Sequence, residues 1–439
     1  MLEKYFGLSA QGTNVRTEVL AGVTTFMTMA YIVLVNPLIL SDAGLPIAGV
    51  AAATCVAAGI GSILMGLVAN YPIALAPGMG LNAYFTYTVV KGMGVPWETA
   101  LGCVLISGLV FLALTLAGVR KIIVEAVPRP LFAAIAAGIG LFIAFIGLKG
   151  AGLVVANPAT TVTLGDLKSP MTLLSLGGLA LTGALMAWRV RAAVLIGVLG
   201  VTVTAFVLHL TPFQPGAYDL AALTTTAFKA DLPAALGLGA GGLSTAILEI
   251  IFVFLFVDFF DNLGTLVAVT KRAGLQGPDG NIPRLNRILL ADSIATIVGA
   301  TAGTSTTVSY IESATGVAAG GRTGLTAVVT GILFLITLFL APYVQLIPAA
   351  ATAPALILVG GMMIAPLAET DWADPVVAIP AFLTLTIIPL TFSIANGLAF
   401  GIVSYAALKV LKSGPKREDI ALYVLAGLFI ARFAWAAAA

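Results

Sequence analysis

Charge is scarce in this sequence. Of its 439 residues only 9% are Asp, Glu, Lys or Arg, against about 25% in a soluble domain of ordinary composition. So few charges cannot coat a water-facing surface, which excludes a soluble globular protein. The 21 basic and 19 acidic residues leave a net charge of +2 and form no long run of one sign, so a nucleic-acid-binding surface is excluded as well. Histidine and cysteine are nearly missing too, with one and two residues. Cys55 and Cys103 lie in apolar stretches without Cys-x-x-Cys or Cys/His spacing, and His209 alone cannot build a histidine metal site. Neither a disulfide scaffold nor a zinc enzyme is expected, no metal site is read, and no cofactor is implied.

What remains is hydrophobic. Apolar residues make up 60% of the chain, and a mean hydropathy of +1.09 over the full length means that they must face lipid or one another nearly everywhere. The chain is therefore read as a polytopic protein of the lipid bilayer. Its apolar runs are continuous and do not alternate, which favours α-helical spans over a barrel. Fourteen spans can be placed between residues 17 and 412, preceded by a short segment at 1–16 and followed by a tail at 413–439. The apolar stretch 418–436 in that tail is short and is read as peripheral. The N-terminus lacks the basic start and small-residue cleavage site of a signal peptide, so the first span is expected to be retained. With the N-terminus inside, sixteen basic residues, among them Arg120, Lys121 and Arg189, fall on the cytoplasmic side. Only Lys91, Lys149, Lys168 and Lys229 fall outside. That asymmetry predicts both termini in the cytoplasm, with the chain in the inner (plasma) membrane.

Two spans depart from the pattern. Tyr71-Pro72-Ile73-Ala74-Leu75-Ala76-Pro77-Gly78-Met79-Gly80-Leu81-Asn82 carries two prolines and two glycines at membrane depth, which suits an extended piece followed by a helix starting near Pro77. Thr304-Ser305-Thr306-Thr307-Val308-Ser309-Tyr310-Ile311-Glu312 is β-branched and hydroxyl-rich before it turns into small residues, and it also reads as strand then half-helix. Broken backbone is tolerated in a membrane only where protein or a water-filled cavity satisfies it, and paired breaks mark a transporter's binding site. They occur in spans 3 and 10. A separation of seven spans inverts the second copy, giving a 7+7 inverted repeat, about 17–211 and about 244–412.

Three acids lie within spans, where a carboxylate is costly and marks a pathway or relay: Asp258, Asp261 and Glu312. Asp258 and Asp261 are three apart and share a helix face, so one can serve the other. Such a carboxylate can accept hydrogen bonds from substrate N–H groups or carry a proton whose release is tied to conformation. Asn82 adds a donor and an acceptor at the other break, suited to a planar heterocycle, although it also reads as glue between helices. Tyr310 can stack on a flat ligand or simply pack. Asp258 also fits a structural hydrogen bond between helices.

The residues that carry a family resemblance are Gly12 to Glu18, the run Thr25-Phe26-Met27-Thr28-Met29-Ala30-Tyr31-Ile32 to Asn36-Pro37, Ala76 to Phe85, Asp258 to Gly264 and Gly303 to Gly316. With these the chain resembles the AzgA-like purine permeases of the nucleobase:cation symporter family, also called nucleobase-ascorbate transporters. The resemblance implies a core domain (spans 1–4 and 8–11) and a gate domain (spans 5–7 and 12–14), with Asp261 and Glu312 holding a purine base. Asn82 matches the polar span 3 residue of that branch and Tyr310 falls where a related uracil carrier has an aromatic two residues before its span 10 acid, which by resemblance adds both to the substrate site. Asp, where uracil and xanthine branches have Glu, favours adenine, guanine or hypoxanthine. The implied activity is import by alternating access, with H+ as coupling ion on Glu312, Asp261 or Asp258, and a homodimer through the gate. A sodium site would instead recruit Ser305, Thr306 and Thr307. Competing readings are an anion carrier of the same architecture, which would want cationic lining, an intramembrane enzyme, for which His209 offers neither base nor metal site, and a channel.

Overall fold

The computed structural model describes residues 2–118, 129–212, 221–238, 244–277 and 281–438; Arg120 and Lys121 lie outside them. The described chain is overwhelmingly helical. Among the described residues ten helices are long and apolar enough to cross a membrane, and the shorter helices at Ala193–Val207 and Pro375–Thr391 are apolar as well. The breaks expected in spans 3 and 10 are there. Strand β1 (Leu75–Pro77) is followed by a half-helix α1 (Met79–Ala83), and β2 (Thr307–Ser309) by a half-helix α2 (Ser313–Ala318). The tail that the sequence reads as peripheral forms an apolar helix over Ile420–Ala438.

The chain contains two compact units. The first comprises 1–113 and 146–358, the second 114–145 and 359–439. The helices at Pro170–Ala187 and Ala193–Val207, which the resemblance assigns to the gate, fall in the first unit.

Within the first unit, β1 and β2 pair antiparallel, with Leu75 opposite Ser309, Ala76 opposite Val308 and Pro77 opposite Thr307. Two strands have two outer edges, and each edge would leave N–H and C=O groups orphaned in a dry interior. One hydroxyl serves each edge. Ser62, on helix α3 (Ile47–Leu64), accepts from the Leu75 N–H at 2.9 Å and donates to its carbonyl at 3.2 Å. Thr296, on helix α4 (Leu285–Ala302), accepts from the Thr307 N–H at 3.2 Å and donates to its carbonyl at 3.0 Å. In the fourteen-span reading these helices are spans 2 and 9, again seven apart, so the sealing hydroxyls follow the same pairing as the breaks. Further bonds run from Gly78 N–H to the Thr306 carbonyl and from Tyr310 N–H to the Ala74 carbonyl.

Helix α5 (Gly324–Thr337) packs on α3 backbone to backbone. A Cβ on Gly331 would stand 2.5 Å from the Gly59 carbonyl oxygen, and Gly324 faces Gly66 in the same way one end further on. Membrane helices gain attraction from such close approach because lipid supplies no hydrophobic drive between them.

In the second unit, Phe142 packs edge-on against Phe392 at 5.3 Å between centroids. Asp374 caps the helix Pro375–Thr391 and meets Lys412 at 3.1 Å. The Val376 backbone N–H, then Lys412, hold the Asp374 carboxyl below its usual range, so this contact persists through mild acidification and is lost only as pH falls through that lowered value.

Removing the Ser62 hydroxyl tests the sealing argument. Ser62→Ala leaves two backbone groups of Leu75 without that partner, at about 1 to 3 kcal/mol each. The purified protein in detergent is expected to unfold at a distinctly lower temperature; an unchanged midpoint would mean the edge is sealed another way.

Candidate functional site

The strand–half-helix turn after β2 carries Glu312, half-buried, at the start of α2. Its carboxylate accepts a 2.7 Å hydrogen bond from the Tyr31 hydroxyl. Tyr31 comes from the first span, where helix α6 (Val15–Met29) stops and Ile32–Ser41 begins, so that break aims a phenol at the turn. A second tie joins the same elements, Thr28 Oγ1 to Thr315 Oγ1 at 3.0 Å.

Asp258 and Asp261 project from helix α7 (Thr245–Ala273), which packs on both β2 and α2. Asp261 is half-buried, and its charge and that of Glu312 act on one another and on Tyr310. Asp258 is buried; it feels the charge of Asp261 and accepts from the Thr296 hydroxyl at 3.3 Å. Among the described residues, the ion pairs Lys409–Asp419, Lys412–Asp374 and Lys416–Glu418 all lie elsewhere, and no group of His, Cys, Asp and Glu could hold a metal. Three acids thus share one region without a basic partner. Repulsion between them in a poorly hydrated interior is relieved by N–H donors or a shared proton.

The remaining two expected site residues are tied into the ribbon. Tyr310 is buried and donates to the Pro77 carbonyl at 2.5 Å, cross-linking β2 to β1. Its hydroxyl is committed to structure, which leaves only its ring for a ligand. Asn82, on α1, is fully buried; its Oδ1 accepts from the Ser305 hydroxyl, and its Nδ2 has no protein partner. Asn82 therefore sits at the Ser305 end of β2 and Glu312 at the other. Among the described residues no hydrogen bond joins it to the carboxylates. The structure brings Asp261, Glu312 and Tyr310 together, links Asp258 to them through Asp261, and sets Asn82 across the ribbon.

Sequence reasoning missed four residues here. Tyr31, Ser62 and Thr296 carry no local signature, and Tyr31 meets Glu312 across 281 positions. Glu18 is the fourth. It is fully buried, and its carboxylate accepts from the N–H groups of Arg322, Thr323 and Thr326 and from the Thr326 hydroxyl at 2.6 Å. It caps α5 from a different helix. An acid directly before an apolar run was a visible signal, but read locally it is only a favourable first-turn charge.

The model of the Permease family matches residues 16–400. The chain is similar to the guanine/hypoxanthine permease PbuG of Bacillus subtilis, 46% identical over 448 residues, covering 98% of this chain and 99% of that one. It is also similar to the adenine permease AdeP of Escherichia coli, 42% identical over 430 residues, covering 98% and 95%. In fold it is similar to the transmembrane domain of the cyanobacterium bicarbonate transporter BicA, with a TM-score of 0.62 over 90% of this chain and 97% of that one, at 19% identity.

Truncating Glu18 tests the cap. Glu18→Ala removes the acceptor of four bonds and is expected to cost about 3 kcal/mol or more, since each orphaned buried donor costs about 1 to 3. Glu18→Gln, which keeps one carbonyl oxygen, should recover part of the loss in thermal unfolding; equal stability of all three chains would refute the cap.

Proposed function

The chain belongs to the nucleobase:cation symporter family of permeases, and from that premise we propose that it imports purine bases, adenine, guanine or hypoxanthine, by proton symport. It is a transporter and not an enzyme. The observation that carries the substrate class is the pair of half-buried acids, Asp261 and Glu312, beside a sealed two-stranded break and, among the described residues, in no ion pair. Carboxylates only accept hydrogen bonds when ionised, and a purine presents N–H donors along one edge. Asp261 and Glu312 receive those donors, the Tyr31 hydroxyl holds Glu312 in orientation, and Asn82 Nδ2 is the donor available to a purine acceptor. The names of the relatives support purines over other bases. An anion substrate is disfavoured because these acids would repel it, whatever the likeness of fold.

Coupling rests on the same acids. A proton bound there relieves their repulsion and lets the base enter; its release toward the cytoplasm restores the repulsion and favours departure. The chain then alternates by movement of the core, with spans 1–4 and 8–11, against the gate, with fourteen crossings, both termini in the cytoplasm of the plasma membrane, and two chains paired through the gate.

Uptake of radiolabelled adenine, guanine and hypoxanthine in cells without purine carriers tests the function. Asp261→Asn and Tyr31→Phe should each weaken uptake by about tenfold or more, as expected for losing a hydrogen bond to a charged group, and Glu312→Gln should abolish accumulation driven by a pH gradient. Uptake that followed external sodium and ignored pH would replace the proton. Topology is checked separately: a cysteine beside Arg189 should react with an impermeant label only from the cytoplasm, and one beside Lys168 only from outside. The opposite pattern would overturn the fourteen crossings.

A further inference from the structure

The two hydroxyls that seal the ribbon differ in one respect. Ser62 faces only the backbone of Leu75, taking its N–H and giving to its carbonyl. Thr296 does the same for Thr307, but its oxygen also stands 3.3 Å from Asp258 Oδ2. A hydroxyl has one hydrogen. Thr296 can therefore donate to the Asp258 carboxylate or to the Thr307 carbonyl, not to both, while its oxygen continues to accept from the Thr307 N–H.

The proton on Asp258 decides between them. A charged Asp258 can only accept, so it draws the Thr296 hydrogen to itself and the Thr307 carbonyl loses its hydroxyl donor. A neutral Asp258 carries an O–H that donates to the Thr296 oxygen, which frees the Thr296 hydrogen for the Thr307 carbonyl. The step is balanced: one O–H bond of Asp258 forms or breaks with the arriving or leaving proton, and the Thr296 hydroxyl only rotates. Thr307 lies in β2, opposite Pro77, whose carbonyl is held by Tyr310, and β2 runs directly into Glu312. We propose that Thr296 is the positioning residue that reports the protonation of Asp258 to the substrate-bearing strand, so that β2 is fully bonded only when Asp258 is neutral. This rests on the proton-symport reading above.

The surroundings permit this. Asp258 is buried, and its second oxygen has no protein partner. The titratable groups on the elements packed around it are Asp261 on the same helix, Asp292 one turn before Thr296 on α4, Tyr310 and Glu312 after β2, and Tyr84, which packs edge-on against Phe254 of α7. The basic residues of these helices, Lys271, Arg272 and Arg287, sit near their ends. Asp261, three residues along, is the group placed to exchange a proton with Asp258.

The test uses the full chain in proteoliposomes. With a pH gradient of one unit, one proton per base drives about tenfold accumulation. The native chain and Thr296→Ser, which keeps a hydroxyl, should both reach it. Thr296→Val should exchange bases across the membrane yet accumulate none, and Ser62→Ala, lacking only the seal without an acid, should accumulate normally when reconstituted. Should Thr296→Val fail to fold, infrared spectra of the native chain labelled at the Thr307 carbonyl decide the matter. That band should shift as Asp258 titrates, and the shift should vanish in Asp258→Asn. Full accumulation by Thr296→Val, or a Thr307 band indifferent to pH, would overturn the proposal. A native chain that exchanges purines without proton-driven accumulation would overturn the symport reading, and this inference with it.

Discussion

Everything at the centre of this molecule depends on keeping broken backbone hydrogen-bonded where lipid offers no partner. The two strands satisfy one another along their shared edge and leave the outer edges to single hydroxyls, Ser62 and Thr296. A two-stranded ribbon of three residues each would not persist alone in water. Here the alternative is several orphaned polar groups in a dry interior, so the surrounding helices hold it in place. Because the ribbon ends at Glu312 and pairs beside Pro77, the acid and the asparagine of the candidate site inherit their positions from this sealing.

The acids stand to the ribbon as a load on a frame. Asp261 and Glu312 are half-buried and open to a ligand, whereas Asp258 lies fully inside and touches the frame through Thr296. That division separates the two acids proposed to meet the base from the one that meets the backbone. It also explains why two carboxylates three residues apart need not be redundant. One is partly exposed, the other bonds to the helix that seals the ribbon.

Much of this was legible before any coordinates. Pro72, Pro77 and the glycines between residues 78 and 80 announced a break, and the β-branched run at residues 304–309 announced its partner, because neither composition suits a straight lipid-facing helix. The three mid-span acids stood out for the same reason of cost. What could not be read were partnerships across distance. Nothing near Tyr31 points to Glu312, and the hydroxyls of Ser62 and Thr296 look like any others in an apolar helix. From the sequence Tyr310 is a ring to stack on a ligand or to pack, yet its hydroxyl binds the Pro77 carbonyl, a role set by which strand lies alongside. Packing of α5 through Gly59 and Gly331 is equally invisible to periodicity, since glycine marks an approach only once the neighbour is known.

The Glu18 cap bears on how the chain is made. Its carboxylate enters the membrane's edge with the first span, but its donors, the N–H groups of Arg322, Thr323 and Thr326, are synthesised 304 or more positions later. At about 5 to 20 residues per second, the acid waits for on the order of 15 to 60 seconds. During that interval the carboxyl lacks the donors that surround it in the finished fold. Insertion of this protein is thus a process in which the earliest helix stays provisional until one of the last arrives, and quality control that samples nascent membrane proteins has a long window in which to find it.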